Sequence, residues 1–484
     1  MNGKAAFSLL ALAAVLGSGC GGPAVPSSQA GPVEQSPRPP GAAARGVWAA
    51  TQPVGEPAAA FPAKPTLADC LAWAALNNPR LKAAFDRWRA AAEQASQAGA
   101  LPDPRFTYRY FIREVETRVG PQRQSFGLAQ TFPWIGTLGL RSDAAAQAAQ
   151  AELARVQALK LELFYRVKQA YGEYYYLRRA LAVVGENVRL LAQIESVART
   201  RYQAAAVGHP DVIRAQVEQG KLADRLRALA DLRGPIVADL NAAMNRPLDA
   251  ALPWPEALED PQVSPADAAL LRRLAASNPQ LKALDHRIAH DRRRIELARK
   301  AYFPDVTVGV DYIDTAGATG PRGPGDNGKD PVVAMVSVNL PIWWGKLSAG
   351  VREARRRHLV AVHERAEAAN ALGARLKLAA YRFRDAARRV RLYRDTLLPK
   401  ASQSLKAASA AFRTGKASLT DLIDAERVRL EFQLARERAL ADKVQRLAEL
   451  EMLVGGELAG AGSGEARPGA PAEARKGKPE ESKP

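Results

Sequence analysis

Cysteine, histidine and methionine are scarce in this chain of 484 residues, which contains two, five and four of them respectively. Two cysteines cannot build a disulfide scaffold or a cysteine-ligated zinc site. His286 and His290 lie four residues apart, but no glutamate of a zinc protease stands between them, so exposed helix positions explain them. The chain has no Met or His cluster of a copper relay, no phosphate loop and no nucleophile elbow. We therefore expect no enzyme, no cofactor and no resident metal.

Long apolar runs and an excess of acidic charge are also missing. A mean hydropathy of −0.23 with 25% charged residues excludes a polytopic helical membrane protein, and 47% hydrophobic residues exclude disorder throughout. The 69 lysines and arginines exceed the 50 aspartates and glutamates, which gives a net charge of +19. This charge would suggest nucleic acid for a cytosolic protein, but the N-terminus indicates export. We expect no nucleic acid partner, and helix faces that meet solvent or anionic lipid.

The N-terminus resembles a secretory signal. Lys4 precedes an apolar run that ends at Leu16, and small residues follow up to Cys20. Such a run is too short to span a bilayer stably, so residues 1–19 are predicted to be a signal peptide. The position of Cys20 resembles a bacterial lipobox, which predicts its acylation, although Gly17 departs from that motif. An ordinary signal peptide with an incidental cysteine is the alternative, and Cys70 is expected to be a buried apolar residue.

The middle of the chain repeats itself between two tethers. Residues 20–64 form the predicted lipidated N-terminus and flexible linker, and 457–484 a disordered tail, because both are rich in residues that cannot build a core. Four short segments recur in the same order at offsets of 200 to 210: Leu76–Ala83 with Ala276–Ala283, Leu101–Asp103 with Phe303–Asp305, Phe132–Trp134 with Leu340–Trp343, and Tyr202–Ala215 with Phe412–Ala425. We predict a tandem duplication with units at 66–247 and 264–456.

Each unit is predicted to hold one β-hairpin. After Pro102 and after Pro304 the apolar residues alternate with polar ones, as Phe106, Tyr108 and Tyr110 show. Partner strands are predicted at 124–132 and 332–340, after a turn at 114–123 and a longer loop at 314–331. This alternation is typical of a transmembrane β-barrel strand, but a soluble amphipathic hairpin has the same pattern.

The rest of each unit is predicted to be helical. Apolar residues from Leu163 to Leu191 recur every three or four residues without a proline, which is typical of a coiled-coil seam, and a helix of about 65 residues reaches roughly 100 Å. Helices at 68–100, 211–245, 266–302 and 419–455 are each about half as long, so pairs of them can stack beside one long helix. Four strands cannot close a barrel in lipid, so several chains must share one.

These residues resemble the outer-membrane efflux proteins of the TolC family, and more narrowly its lipoprotein members. The resemblance rests on the duplication, the Asn-Pro-x-Leu near each unit's start, the prolines that flank the strands, and above all Phe412 to Ala425. That segment is similar to the family's periplasmic helix–turn–helix tip, an aromatic followed by Gly-x-x-Ser-Leu-x-Asp-x-Leu-Asp-Ala. The first unit departs from it by Ala205 in place of the glycine and by Arg214 in place of an acidic residue.

The resemblance implies a mainly α fold with a membrane β-barrel: a homotrimer with a 12-stranded barrel and a long-helix α-barrel. It implies a passive outer-membrane exit duct of a tripartite efflux system, which works with a periplasmic adaptor and an inner-membrane pump to export small molecules or metal ions. The competing interpretation is a periplasmic coiled-coil adaptor or structural lipoprotein without a pore.

Three sets of site residues follow from this resemblance. Carboxylates at the predicted aperture are Asp211, Asp421 and Asp424, although helix N-termini also favour acidic residues and Arg214 is a candidate partner for Asp211. Residues of the tips that would contact the adaptor are Gly208, Gly415, Ser418 and Leu419, although helical turns need Gly and Ser in any case. Aromatic residues predicted at the membrane interface rather than in a core are Trp134, Trp343 and Trp344.

Overall fold

A computed structural model describes residues 61–205, 207–263, 266–318 and 325–458, all within a structural unit that begins at Ala60. The predicted signal peptide, Cys20, nearly all of the linker, the start of the second unit at 264–265 and most of the tail lie outside these residues. The helices are α1 Leu67–Asn77, α2 Pro79–Ala98, α3 Thr137–Gln203, α4 His209–Asp231, α5 Arg233–Met244, α6 Asp267–Ser277, α7 Pro279–Lys300, α8 Trp344–Leu392, α9 Leu398–Arg413 and α10 Leu419–Val454. The strands are β1 Arg105–Thr117, β2 Gly120–Phe132, β3 Val306–Thr315 and β4 Val332–Val338.

The helix in front of each hairpin is broken by an Asn-Pro pair, so the single helices predicted at 68–100 and 266–302 are wrong. Asn78 and Asn278 have extended backbone, which a following proline favours, and each caps the next helix by accepting from the amides two and three residues on. Their side-chain amides donate to Ala243 and Leu453, at 3.1 and 2.8 Å. Each unit therefore ties its kink to the end of its own last helix.

The last helices of the two units end alike but are not alike in length. Asn245 and Gly455, which follow α5 and α10, both have left-handed backbone with φ of 56° and 87°. In the first unit, however, the predicted helix 211–245 is divided at Leu232, whereas α10 runs without a break. The duplication is therefore visible in local geometry, with a difference between its copies.

Two long helical rods carry the fold. The first is α3, whose 67 residues correspond to about 100 Å. Most of its predicted seam is buried, including Val167, Tyr174 and Leu177. The second rod runs from Trp344 through α8, a π-helical turn at Tyr393–Leu397, and α9. The turn ends two residues before Pro399, which lacks an amide donor and would clash with the carbonyl four residues earlier, so the wider turn lets the rod continue.

The two hairpins form one antiparallel sheet in the order β1-β2-β3-β4, because β2 pairs with β3 across the repeat. Phe126 is opposite Tyr108 on one side and Tyr312 on the other. The predicted turn at 114–123 is wrong, since β1 and β2 are separated by two residues only and Gly120 has a φ of 125° that suits a tight turn. The outer edges of β1 and β4 pair with no strand in the part of the chain that the structure describes.

The two faces of the sheet differ in polarity. On one face the Arg109 guanidinium lies 3.5 Å from the Asp311 carboxylate, and the Thr131 and Thr307 hydroxyls are 2.9 Å apart. The opposite face of the sheet is apolar and largely exposed, through Phe106, Tyr108, Tyr110, Leu128, Phe132, Val308, Val310, Tyr312, Val332, Val336 and Val338.

Among the residues that the structure describes, no helix is both long and apolar enough to cross a bilayer.

Candidate functional site

The second helical tip, between α9 and α10, is closed by a capping box. Gly415 has a φ of 74°, and Ser418 begins α10 as its N-cap. The Asp421 carboxylate accepts from the Ser418 amide and hydroxyl at 2.9 and 2.7 Å, and the Asp421 amide donates back to that hydroxyl at 3.1 Å. The hydrogen bonds from the side chain and backbone of Ser418 lower the pKa of Asp421. Asp421 therefore helps to cap the N-terminus of α10, which is the alternative to an aperture role that the sequence left open.

The first tip, between α3 and α4, has a left-handed residue at the position equivalent to Gly415 but differs in its residues. Ala205 has a φ of 56° and lies 210 residues before Gly415, so an alanine occupies a left-handed position that usually favours glycine. Gly208 is the N-cap of α4 without a side-chain cap, and His209 contacts the Tyr202 ring at 5.4 Å between centroids. The departure of Ala205 from the motif is therefore a change of residue and not of conformation.

Leu419 does not lie on the surface of the tip, which corrects its predicted contact with an adaptor. It is 1% exposed, because the start of α10 turns this side chain toward α3. Gly208, Gly415 and Ser418 are exposed. The apolar cluster that holds Leu419 joins both tips and consists of Leu191, Ile194, Ala198, Val212, Ala215, Phe412, Leu419, Leu422 and Ile423.

Polar contacts also join the two tips. The Arg201 guanidinium lies 4.8 Å from the centre of the Phe412 ring and donates to the Phe412 carbonyl. Arg214 donates to the Thr420 hydroxyl, and among the residues described it forms no ion pair with Asp211. These contacts could not be predicted from the sequence, because they join residues more than 200 apart and carry no local signal.

The three predicted aperture carboxylates lie at this end of the helices. Asp421 and Asp424 share the face of α10 opposite the buried Leu422 and Ile423. Asp424 is 3.5 Å from Arg427, which also pairs with Glu218 of α4 at 3.0 Å. Asp211 is half-buried in the first turn of α4, next to Val212 of the shared cluster.

A buried carboxylate, which the sequence also did not reveal, lies one turn further along α10. Glu426 is 3% exposed, and neither of its oxygens has a hydrogen-bond partner within the described ranges. The Arg429 side chain lies 3.5 Å away. Burial raises the pKa of Glu426, and the Arg429 charge only partly opposes this effect. The carboxylate is therefore held in an environment that favours its neutral form.

The predicted interface tryptophans follow the strands but differ in exposure. Trp134 is half-buried and stacks on Phe303, with 4.9 Å between ring centres. Trp343 and Trp344 are 71% and 65% exposed. Packing against another ring thus accounts for part of the Trp134 surface, whereas the other two present large aromatic surfaces outward.

His286, His290 and Cys70 have local partners or burial instead of a shared site. His286 Nδ1 lies 2.9 Å from Gln147 Oε1, and His290 Nδ1 lies 2.9 Å from Asp291 Oδ1. Burial raises the pKa of the Cys70 thiol to about 12. In the described part of the chain, no three His, Cys, Asp or Glu residues are arranged to hold a metal ion.

Proteins with related sequence or fold include outer-membrane channels and a nodulation protein. The outer membrane efflux protein family matches residues 270–456. Nodulation protein T of Rhizobium leguminosarum bv. trifolii is 23% identical over 424 residues, which cover 79% of this chain and 87% of that protein. The outer membrane protein VceC of Vibrio cholerae has a TM-score of 0.67 at 19% identity, over 81% of this chain and 96% of its own. CusC, whose structures concern folding and transmembrane channel formation, has a TM-score of 0.70 at 16% identity, over 83% and 95%.

Proposed function

We propose that this chain, whose residues 270–456 match the outer membrane efflux protein family, is a TolC-family outer-membrane protein with a periplasmic helical part and serves as the passive exit duct of a tripartite efflux system. In this proposal an inner-membrane pump and a periplasmic adaptor deliver small molecules or metal ions from the periplasm or cytoplasm. The duct carries them across the outer membrane without chemistry or an energy source of its own.

The observation that supports this function best is the four-stranded sheet. One of its faces is apolar and exposed and the other carries polar side chains, and both of its edges are open within the described residues. Unpaired strand edges cannot lie in lipid, because their backbone groups find no hydrogen-bond partner there. Three copies in cyclic symmetry supply twelve strands and close a barrel. In that barrel the apolar face meets lipid, and the Arg109–Asp311 face lines the channel.

The helical rods extend this channel on the periplasmic side. A rod of about 100 Å has the length to reach far from the membrane. Paired short helices pack beside it, so each chain contributes one third of a cylindrical wall. The tips then form the end that is distant from the membrane.

The tips serve as the aperture and as the surface for the adaptor. Three copies place Asp211, Asp421 and Asp424 in rings of negative charge. Such rings attract cations and hinder the passage of anions through a narrow opening. Gly208, Gly415 and Ser418 form the exposed turns that meet the adaptor, and the buried Leu419 supports them from below.

Conductance of the purified protein in a planar lipid bilayer tests this function. We expect Asp421→Ala combined with Asp424→Ala to increase the resting conductance, because two rings of charge are removed. A matched control, Asp249→Ala with Glu259→Ala, removes two exposed carboxylates from the segment between the repeats and should leave the conductance unchanged. Absence of any conductance from the wild type would overturn the duct, whereas equal conductance of wild type and tip variant would overturn the aperture alone.

The competing function, a coiled-coil adaptor or structural lipoprotein without a pore, explains the helices but gives no role to an exposed apolar sheet. Gel mobility separates the two. A duct trimer should migrate as an assembled barrel without heating and as a monomer after boiling, while a protein without a barrel should migrate alike in both cases.

A further inference from the structure

A groove at the junction of sheet and helices is lined by basic residues. It has a volume of about 790 Å³ and lies between the start of α3, the end of α7 and the start of α8. Asp305 and Asn339, which directly precede β3 and follow β4, close it on the side of the sheet. Its position therefore coincides with the boundary between the proposed membrane and periplasmic parts.

The carboxylates of this groove already have partners. Each is engaged by a neighbouring donor: Asp291 lies 2.9 Å from His290 Nδ1, Glu353 lies 2.6 Å from the Arg357 guanidinium, and Asp305 accepts from the Trp134 amide at 3.0 Å. Only the Glu353 charge is compensated by an arginine, since a neutral amide does not cancel the charge of Asp305, so the carboxylates of Asp291 and Asp305 lack an arginine or lysine partner among the described residues.

Three cations in the groove have no acidic partner among the described residues. Arg141, Arg294 and Lys300 line it, and within the described ranges none of them has a carboxylate oxygen within 4.0 Å. Lys300 contacts the ring of Phe303, with its ammonium 5.7 Å from the ring centre, which leaves its charge uncompensated by an anion. These three cations outnumber the two carboxylates of the groove that lack an arginine or lysine partner among the described residues, so the groove keeps a net positive charge that an anion would compensate.

The surroundings of the groove indicate where such an anion comes from. Trp343 and Trp344, just beyond Asn339, are exposed, and Trp134 lies at the end of β2. Aromatic residues of this kind lie at the level of lipid headgroups. An arginine guanidinium binds a phosphate through two parallel hydrogen bonds, and a lysine adds a point charge.

We propose that this groove binds the phosphate headgroup of an anionic phospholipid in the periplasmic leaflet of the outer membrane. The inference rests on the proposed function, because it requires the sheet to lie in lipid. Arg141, Arg294 and Lys300 hold the phosphate, and the exposed tryptophans contact the upper acyl chains. The lipid thereby fixes the depth of the duct at the place where strands change to helices.

Quenching of tryptophan fluorescence by brominated lipid tests this binding. The purified full-length protein is reconstituted in phosphatidylcholine vesicles that contain either dibrominated phosphatidylglycerol or dibrominated phosphatidylcholine. The preference of the wild type for phosphatidylglycerol should be about fivefold or more, since each basic residue near the surface contributes to it. It should decrease strongly in about 1 M NaCl, where the Debye length falls to about 3 Å.

The variant Arg141→Gln/Arg294→Gln/Lys300→Gln should lose this preference, while Arg141→Lys/Arg294→Lys should keep most of it. A matched control at the opposite end of the helices, Lys406→Gln/Arg413→Gln/Lys416→Gln, should behave like the wild type. The inference is overturned if the first variant retains the preference or if the control loses it as well.

Conductance of the same preparations separates this inference from the proposed function. A variant that changes the anion selectivity of the channel and leaves the lipid preference intact would assign the groove to the lumen and refute lipid binding. If the wild type conducts but shows no preference between the lipids, only the lipid site fails. If it does not conduct, the duct itself fails.

Discussion

The Asn-Pro kink in each repeat gives a prediction with an internal comparison. Asn278 is 3% exposed, caps α7 through its Oδ1, and donates to the Leu453 carbonyl at 2.8 Å. Asn278→Ala removes the cap, worth about 1 kcal/mol. It also leaves a buried carbonyl without its donor, which costs about 1–3 kcal/mol. We therefore expect a loss of about 2–4 kcal/mol in the free energy of unfolding.

The same change at Asn78 should cost less. Asn78 makes the equivalent contacts, with 3.1 Å to the Ala243 carbonyl, but it is half-buried, so water can replace its amide. We expect about 1–2 kcal/mol for Asn78→Ala, and the double variant should be additive within about 0.5 kcal/mol because the two sites share no partner.

Thermal unfolding of the detergent-solubilised protein measures this difference. Asn278→Asp provides a further control, because it keeps the cap acceptor but removes the donor and places a charge near the Leu453 carbonyl. It should therefore be no more stable than Asn278→Ala. If both alanine variants unfold at the same temperature, or if Asn278→Ala unfolds like the wild type, the assigned role of the buried hydrogen bond is refuted.

Three further predictions concern other parts of the chain. Glu426→Gln should stabilise the protein at neutral pH by about 1 kcal/mol. Because the pKa of Glu426 is raised in the folded state, the wild type loses stability as the pH rises through that pKa, and the advantage of the variant should vanish in acid. A difference in melting temperature that does not change with pH would contradict this. Ala205→Gly should stabilise the protein and Gly415→Ala should destabilise it, each by about 1 kcal/mol, because both positions have left-handed backbone; unchanged melting temperatures of the two variants would contradict this conformation. Val310→Arg on the apolar face should destabilise the heat-modifiable trimer by about 2–4 kcal/mol, while the Thr307→Arg variant, changed on the opposite face, should still assemble into trimers. Equal trimer stability of the two variants would refute the two-faced sheet.

The sequence predicted the elements whose signal is periodic or repeated. The alternation after Pro102 and Pro304 gave the strands, and the three–four spacing from Leu163 to Leu191 gave the first rod. The same kind of signal did not reveal the breaks in the helices at Asn78 and Leu232. The prediction there followed the apolar pattern and gave no weight to the prolines that come after each break, Pro79 and Pro235. The short turn between β1 and β2 was missed although Gly120-Pro121 is a turn dipeptide, because the residues that follow it, Gln122 to Gln124, are polar and do not indicate the start of a strand.

The tips were located from their motif, but the roles of single residues there depend on packing. Leu419 belongs to the motif and is buried, since the face of α10 that contacts α3 becomes known only when the two helices are placed together. For the same reason the contact of Arg201 with Phe412 and the unpartnered carboxylate of Glu426 had no signal in the sequence. The pairing of the two hairpins through β2 and β3 likewise joins positions about 180 residues apart.

Spin labels along β3 in the reconstituted protein test the central claim most directly. Nitroxides at positions 308 and 310, which replace valines of the apolar face, should be accessible to oxygen dissolved in the lipid and shielded from a water-soluble nickel complex. Nitroxides at positions 307 and 311 should show the opposite accessibility, because those side chains would face a water-filled channel. Alternating accessibility along the strand is the result that we expect, whereas labels that are all buried, or all reached by the nickel complex, would contradict a membrane duct.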